Sequence, residues 1–171
     1  FLKLTCAANS IALIVPTIDT ELLILSEHRG EFLKLGVNII ISDTPLIQAC
    51  RNKNHTSDFF HNIEIETPAI YNVNNLNYPC FVKPYDGSCS EGAFALNDKS
   101  MLTSDILDNP KNMFMELVPE NYDEYTVDVY YDKFGILKSL VPRLRIETRA
   151  GEISKGLTSK GVVYDYLKDK L

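Results

Sequence analysis

A lysine ending an apolar run, then a proline and a loop of small residues, is the first place where this chain could do chemistry. The stretch is Phe81-Val-Lys-Pro-Tyr-Asp-Gly-Ser-Cys-Ser-Glu-Gly-Ala-Phe94. Gly87, Ser88, Ser90 and Gly92 let backbone N–H groups converge on an anion, because small residues permit the required turns. Lys83 adds a compact positive charge at the mouth of that loop. The segment therefore predicts a strand, a phosphate-covering loop and a second strand. It is not a P-loop, since no Gly-Lys-Ser/Thr closes into a helix, and no helical pattern follows Gly92 as a dinucleotide fingerprint requires. Taken alone, the same composition also describes a mobile hairpin turn.

A second concentration of charge follows Pro142: Arg143, Arg145, Arg149 and Lys155. Strand alternation puts Arg143 and Arg145 on one face, and Glu147 and Arg149 as well if the strand continues. One reading is a surface salt-bridge ladder with Glu147 and Glu152. The other is an anion clamp for an acyl phosphate or a γ-phosphate, formed by Arg143, Arg145 and Lys155, with Arg143 and Lys155 preferred. Arginine holds phosphate bidentately, which suits charge spread over equatorial oxygens.

These groups need elements to position them, and composition bounds what the elements can be. The 171 residues suffice for one domain or two small ones, and 45% hydrophobic with 23% charged residues is ordinary for a globular chain. A net charge of −6 opposes a nucleic-acid partner. No apolar run approaches the ~20 residues of a membrane span, and no basic-then-apolar leader opens the chain. Phe1 implies that a true start is missing. Cys6, Cys50, Cys80 and Cys89 show no CxxC spacing and read as free thiols in a reducing cytoplasm, Cys89 alone being exposed.

In order, Ile11–Val15 and Val37–Ile41 read as buried parallel strands. A helix between them is capped by Asp19 or Thr20 and stopped by Gly36. Ser42-Asp43 caps a short helix over 45–50, and a polar break at 51–54 precedes a short helix at 56–60. Strand, helix, strand, helix is a doubly wound unit, incomplete with two strands. From Tyr78 the pattern turns to β. Residues 114–118 form a strand, 98–109 a short helix or loop, and 125–131 an alternating strand. Asp132–Gly135 is a hairpin turn, 136–141 the return strand, and an amphipathic helix begins at Gly161.

This order of elements resembles the ATP-grasp superfamily, and more narrowly its carbamoyl phosphate synthase large-subunit-like branch. The resemblance rests on Val15-Pro-Thr-Ile-Asp-Thr-Glu-Leu22, the Phe81–Gly92 stretch, Met115–Glu120 with Glu124–Val129, and Val141–Gly156. It implies an α/β and α+β chain: a partial pre-ATP-grasp, Rossmann-like domain over residues 1–52, then an ATP-grasp fold of two α+β lobes over 53–171. Lys53 resembles the first basic ATP ligand, and Lys83 the lysine that meets the α- and β-phosphates. The loop from Gly87 to Gly92 resembles the phosphate lid. Glu116, Leu117 and Val118 resemble the hinge strand that reads the adenine edge, with Glu116 taking the exocyclic amine. Glu124 resembles the acid that accepts from the ribose hydroxyls. From residue type alone, Lys53 equally fits a solvated helix-start lysine and Glu124 a solvated strand face.

The implied activity is an ATP-dependent ligase joining a carboxylate to an amine, or bicarbonate to ammonia, through an acyl phosphate. Its partners are ATP and those small molecules, with no nucleic acid or membrane; a homo-oligomer is an open option. A non-catalytic nucleotide-sensing module of the same fold is the alternative. Magnesium is implied with ATP, but no carboxylate pair is visible for it here, so its ligands are expected beyond Leu171, in a chain cut at both ends and itself inactive. Asp86 and Glu91 make the lid less basic than a phosphate cover would be.

Overall fold

The computed structural model describes residues 1–171 apart from Ser88, Cys89, Glu120, Ala150 and Gly151. The chain divides into two compact units, Phe1–Thr56 and Ser57–Leu171. In the first unit, α1 (Leu2–Ala8) leads to β1 (Leu13–Ile14), α2 (Asp19–Glu27), α3 (Arg29–Lys34), β2 (Asn38–Ile39) and α4 (Thr44–Arg51). β1 and β2 pair in parallel, Leu13 opposite Asn38 and Ile14 opposite Ile39. Cys6, Leu25, Phe32, Val37 and Ile39 form the core, with Ile14 and Ile41 packed against it.

The parallel pairing agrees with the sequence expectation, but the strands are shorter and the first is partly exposed. Ile11, Leu13 and Val15 are 40%, 50% and 58% exposed, because the described sheet has two strands and a core on one of its faces. The single helix expected over 20–35 breaks at His28, whose φ of −97° and ψ of 4° leave the helical region. Glu31 and Phe32 N–H groups then bond the His28 carbonyl and start α3. Gly36 stops it at φ +77°, a conformation glycine adopts without steric cost. The expected side-chain caps are absent. α2 starts at Asp19 itself, placing Asp19 and Glu21 in the first turn where the helix dipole favours them, and Asp43 pairs with Arg29 at 3.1 Å instead of capping α4.

α5 (Lys53–Asn62) runs across the division between the units. In the second unit β3 (Ile70–Tyr71), β4 (Cys80–Pro84), β5 (Phe94–Leu96) and β6 (Asn112–Glu116) form an antiparallel sheet in the order β3-β6-β4-β5. A 3-10 turn at Lys99–Met101 and α6 (Ser104–Asp108) join β5 to β6. Asp98 and Thr103 cap them, their side-chain oxygens accepting from Ser100 N and Ile106 N. Cys80, Val82, Leu96 and Phe114 build the core of this sheet, with Tyr71, Phe94, Leu102 and Ile106 against it.

β7 (Tyr125–Tyr131), β8 (Leu137–Arg149) and β9 (Glu152–Thr158) make an antiparallel meander, followed by α7 (Val162–Leu167). The β7–β8 turn falls where expected: Asp132 Oδ1 accepts from Phe134 N and Ile136 N at 2.8 and 3.0 Å, and Gly135 takes φ +73°. Two boundaries differ from the sequence reading. β6 begins at Asn112 and stops at Glu116, two residues short of Val118. β8 continues through Pro142 to Arg149. Proline lacks the N–H but keeps its acceptor, and the Pro142 carbonyl takes Ser159 N at 3.1 Å.

Candidate functional site

Directly opposed residues of a sheet share a face, so the register of the first sheet sorts its side chains. Cys80, Val82, Leu96 and Phe114 take the core face. Phe81 lies opposite Ala95 and Met115, and Lys83 opposite Met113, so these five share the other face. Met113 and Met115 are nevertheless buried, 6% and 8% exposed, outside the core cluster. The second face is thus an apolar platform with Lys83 as the cation at its loop end.

The loop after Pro84 folds back on that proline. Ser90 and Gly92 both adopt positive φ, +58° and +70°, and Ala93 N bonds the Ser90 carbonyl at 3.2 Å. A Cβ on Gly87 or Gly92 would lie 3.3 or 3.2 Å from Pro84 ring carbons. Gly92→Ala should therefore destabilise the hairpin by about 1–2 kcal/mol, read as a lower urea midpoint. Ser88 and Cys89, at the centre of the expected lid, lie outside the described residues. The acidity expected of the lid is offset by Lys111, which the sequence reading did not single out. Its Nζ donates to Asp86 Oδ2 at 2.8 Å, and its carbonyl takes Tyr85 N at 2.9 Å. That hydrogen bond, with the Asp86 charge, holds the Lys111 ammonium above the usual lysine range.

At the far end of β6, Glu116 lies opposite Cys80, and so on the face away from Lys83, three residues along β4 from it, or ~10 Å. Its N–H bonds the Ala69 carbonyl at 2.8 Å, and its Oε2 accepts from Ala69 N at 3.2 Å. The Glu116 carboxylate therefore closes the β3–β6 end. Leu117 and Val118 lie outside the ladder, half-buried and exposed, in the passage from the first sheet to the second. Glu124, one residue before β7, accepts from Arg145 Nη1 at 2.5 Å, while its carbonyl takes Arg145 N at 2.8 Å.

Each proposed clamp residue is ion-paired. Arg143 holds Asp128 bidentately, Nε–Oδ2 2.6 Å and Nη2–Oδ1 3.2 Å. Lys155 pairs with Glu147 at 2.6 Å, and Arg149 with the same carboxylate at 3.1 Å. The continuous face expected from Arg143 to Arg149 is interrupted. Arg145 opposes Gly156, Glu147 opposes Lys155 and Thr148 opposes Ile153, so the register slips after Arg145 and is restored after Glu147. Arg143 and Arg145 pair with Asp128 and Glu124, while Glu147 gathers Arg149 and Lys155. Asp128 was hidden in the sequence, because a carboxylate in an alternating strand looks like ordinary solvent-facing polarity.

The Glu147 carboxyl is held below its ordinary value of 4.5 by hydrogen bonds from Lys155, then Arg149. A lowered native value stabilises the fold above the unfolded value, and the effect is lost as pH falls through the native one. Glu147→Gln should melt below the wild type at pH 7, and the difference should shrink as pH falls below 4.5.

Lys53 opens α5 within the first unit, next to Asn52, whose Oδ1 accepts from Asn54 N at 3.0 Å. No group of three or more His, Cys, Asp or Glu that could hold a metal ion occurs among the described residues. Cys50 is exposed, contrary to the expectation that Cys89 alone would be. No described helix is long and apolar enough to cross a membrane.

No protein-family model matches the chain, and no curated protein sequence matches it. Solved structures do. The L-amino acid ligase of Bacillus licheniformis aligns over 99% of this chain and 42% of its own, with TM-score 0.67 and 14% identity. The biotin carboxylase domain of Hydrogenobacter thermophilus 2-oxoglutarate carboxylase, in complex with MgADP, ADP and bicarbonate, aligns over 89% of this chain and 38% of its own. Its TM-score is 0.68 at 13% identity. Rhizobium etli pyruvate carboxylase aligns over 89% of this chain and 15% of its own, with TM-score 0.66 and 13% identity. The chain spans less than half the length of each. At these identities the likeness speaks for architecture: a mixed α/β chain with the ATP-grasp fold.

Proposed function

We propose that this chain is the nucleotide-gripping part of an ATP-dependent ligase that activates a carboxylate, or bicarbonate, as an acyl phosphate and passes it to an amine or ammonia. The observation that carries the reading is the β4–β6 register. It sets Lys83 at the loop end of a buried apolar face and the Glu116–Val118 passage ~10 Å away, an arrangement suited to a base at one end and phosphates at the other. Lys83 and the loop amides of Gly87, Ser88, Ser90 and Gly92 bind the phosphates. The backbone at Glu116, Leu117 and Val118 reads the base, and Glu124 takes the ribose hydroxyls. Lys53 is the further phosphate ligand. Residues 1–52 belong to the pre-ATP-grasp domain and 53–171 to the ATP-grasp domain, within a carbamoyl phosphate synthase-like, cytoplasmic protein that is free to assemble as a homo-oligomer. Magnesium accompanies the nucleotide. It supplies charge neutralisation at the phosphates when bound.

The test is phosphate release from ATP by the full-length protein, screened over carboxylate–amine pairs and bicarbonate with ammonia. Release that depends on both acceptors supports the ligase, and none with any pair contradicts it. The engagement of Arg143, Arg145 and Lys155 by Asp128, Glu124 and Glu147 favours a second reading, a nucleotide-binding module without catalysis. It predicts stabilisation by ATP with no turnover in the full-length protein.

A further inference from the structure

Arg145 was expected in an anion clamp, yet its surroundings give it a different task. Its side chain is 17% exposed, whereas that of its partner Glu124 is 67% exposed. The two residues are tied twice, by Nη1 to Oε1 at 2.5 Å and by Arg145 N to the Glu124 carbonyl at 2.8 Å. Tyr125 opposes Leu144 in the β7–β8 ladder, so Glu124 and Arg145 extend that register by one position, on one face. For Arg145 to hold a phosphate, the anion would have to enter a largely covered position and displace a carboxylate already bonded there, at a steep desolvation cost. Glu124, in contrast, keeps acceptor capacity: an ionised carboxylate has about four lone-pair sites, and Arg145 engages Oε1.

We infer that Arg145 is the positioning residue for Glu124, and that the pair sets a preference for ribonucleotides over deoxyribonucleotides. This rests on the nucleotide reading above. The guanidinium fixes one carboxylate oxygen, so a long, rotatable side chain on the surface is held in one orientation. The other oxygen is then presented to ribose hydroxyl donors with little ordering left to do on binding. A residue that merely supports the fold would affect all nucleotides alike, so the diagnostic quantity is a ratio.

The measurement is calorimetric affinity of the 171-residue chain for ATP, 2′-deoxyATP and 3′-deoxyATP. Wild type should bind ATP about 10-fold tighter than the weaker deoxy analogue, the size of one hydrogen bond to a charged acceptor. In Arg145→Met that ratio should fall to about 2 or less, while the deoxy affinity changes little; Arg145→Lys should be intermediate. Glu124→Gln, at an exposed side chain, should also reduce the ratio, and it carries the test if Arg145→Met does not fold. A ratio unchanged in Arg145→Met or Glu124→Gln, with all three nucleotides weakened equally, overturns the inference while leaving nucleotide binding intact. Absence of ATP binding by wild type overturns the nucleotide reading and this inference with it.

Discussion

If the proposed site binds nucleotide, Lys83→Ala should lower the affinity for ATP by about 10- to 100-fold, with a much smaller effect on the unfolding midpoint. The magnitude follows from removing a charged donor to a phosphate, ~1.5–3 kcal/mol, which is one to two decades in Kd. The selectivity follows from position. Lys83 is half-buried at the end of β4, next to Pro84 and the loop, on the face opposite the cluster of Cys80, Val82, Leu96 and Phe114. Removing its ammonium takes nothing from that cluster, so the loss of stability should stay well below that of a core truncation. Lys83→Arg should recover part of the affinity, since charge is kept and reach altered. Titration calorimetry with paired urea unfolding reads both quantities. An unchanged Kd would favour an α/β domain with no nucleotide site at Lys83.

Phe114→Ala should have the largest effect on stability, about 3–5 kcal/mol. Phe114 is 5% exposed on the strand flanked by β3 and β4, opposite Tyr71 on one side and Val82 on the other. Truncation would leave a cavity bounded by two paired strands that cannot collapse into it without giving up ladder hydrogen bonds. Against a typical domain stability of ~5–15 kcal/mol, that loss leaves little margin. Because β6 also carries Met113 and Met115 to the other face, ATP binding should weaken in step with the unfolded fraction. This distinguishes the variant from Lys83→Ala, whose binding defect should persist at temperatures where the protein is fully folded.

The sequence made the strand pattern of the second unit largely legible, for a physical reason. The alternation over Tyr125–Tyr131 and the Asp132–Gly135 turn are local signals, and the structure places β7 and the hairpin there. The strand–loop–strand around Lys83 was equally local. Less was visible where long-range context decides. The sequence reads as one helix through His28, where φ −97° and ψ 4° end α2. The register shift at Ile146 depends on β9, which no reading of β8 alone could supply. The partners of the cations were the largest omission: Asp128 and Lys111 find theirs 15 and 25 residues away. The arginine cluster therefore looked like free cationic charge in one dimension, whereas in three each member named for the clamp has a carboxylate.

In the proposed site a nucleotide would run from the loop beside Lys83 to the backbone of the Glu116–Val118 passage. Hydrogen exchange of the 171-residue chain with and without saturating ATP tests it most directly. Bound ATP should slow exchange in the amides of the loop after Tyr85 and at Leu117 and Val118, with no change over α1 or the Asp132–Gly135 turn. Protection confined to other segments, or none at saturating ATP, would contradict it.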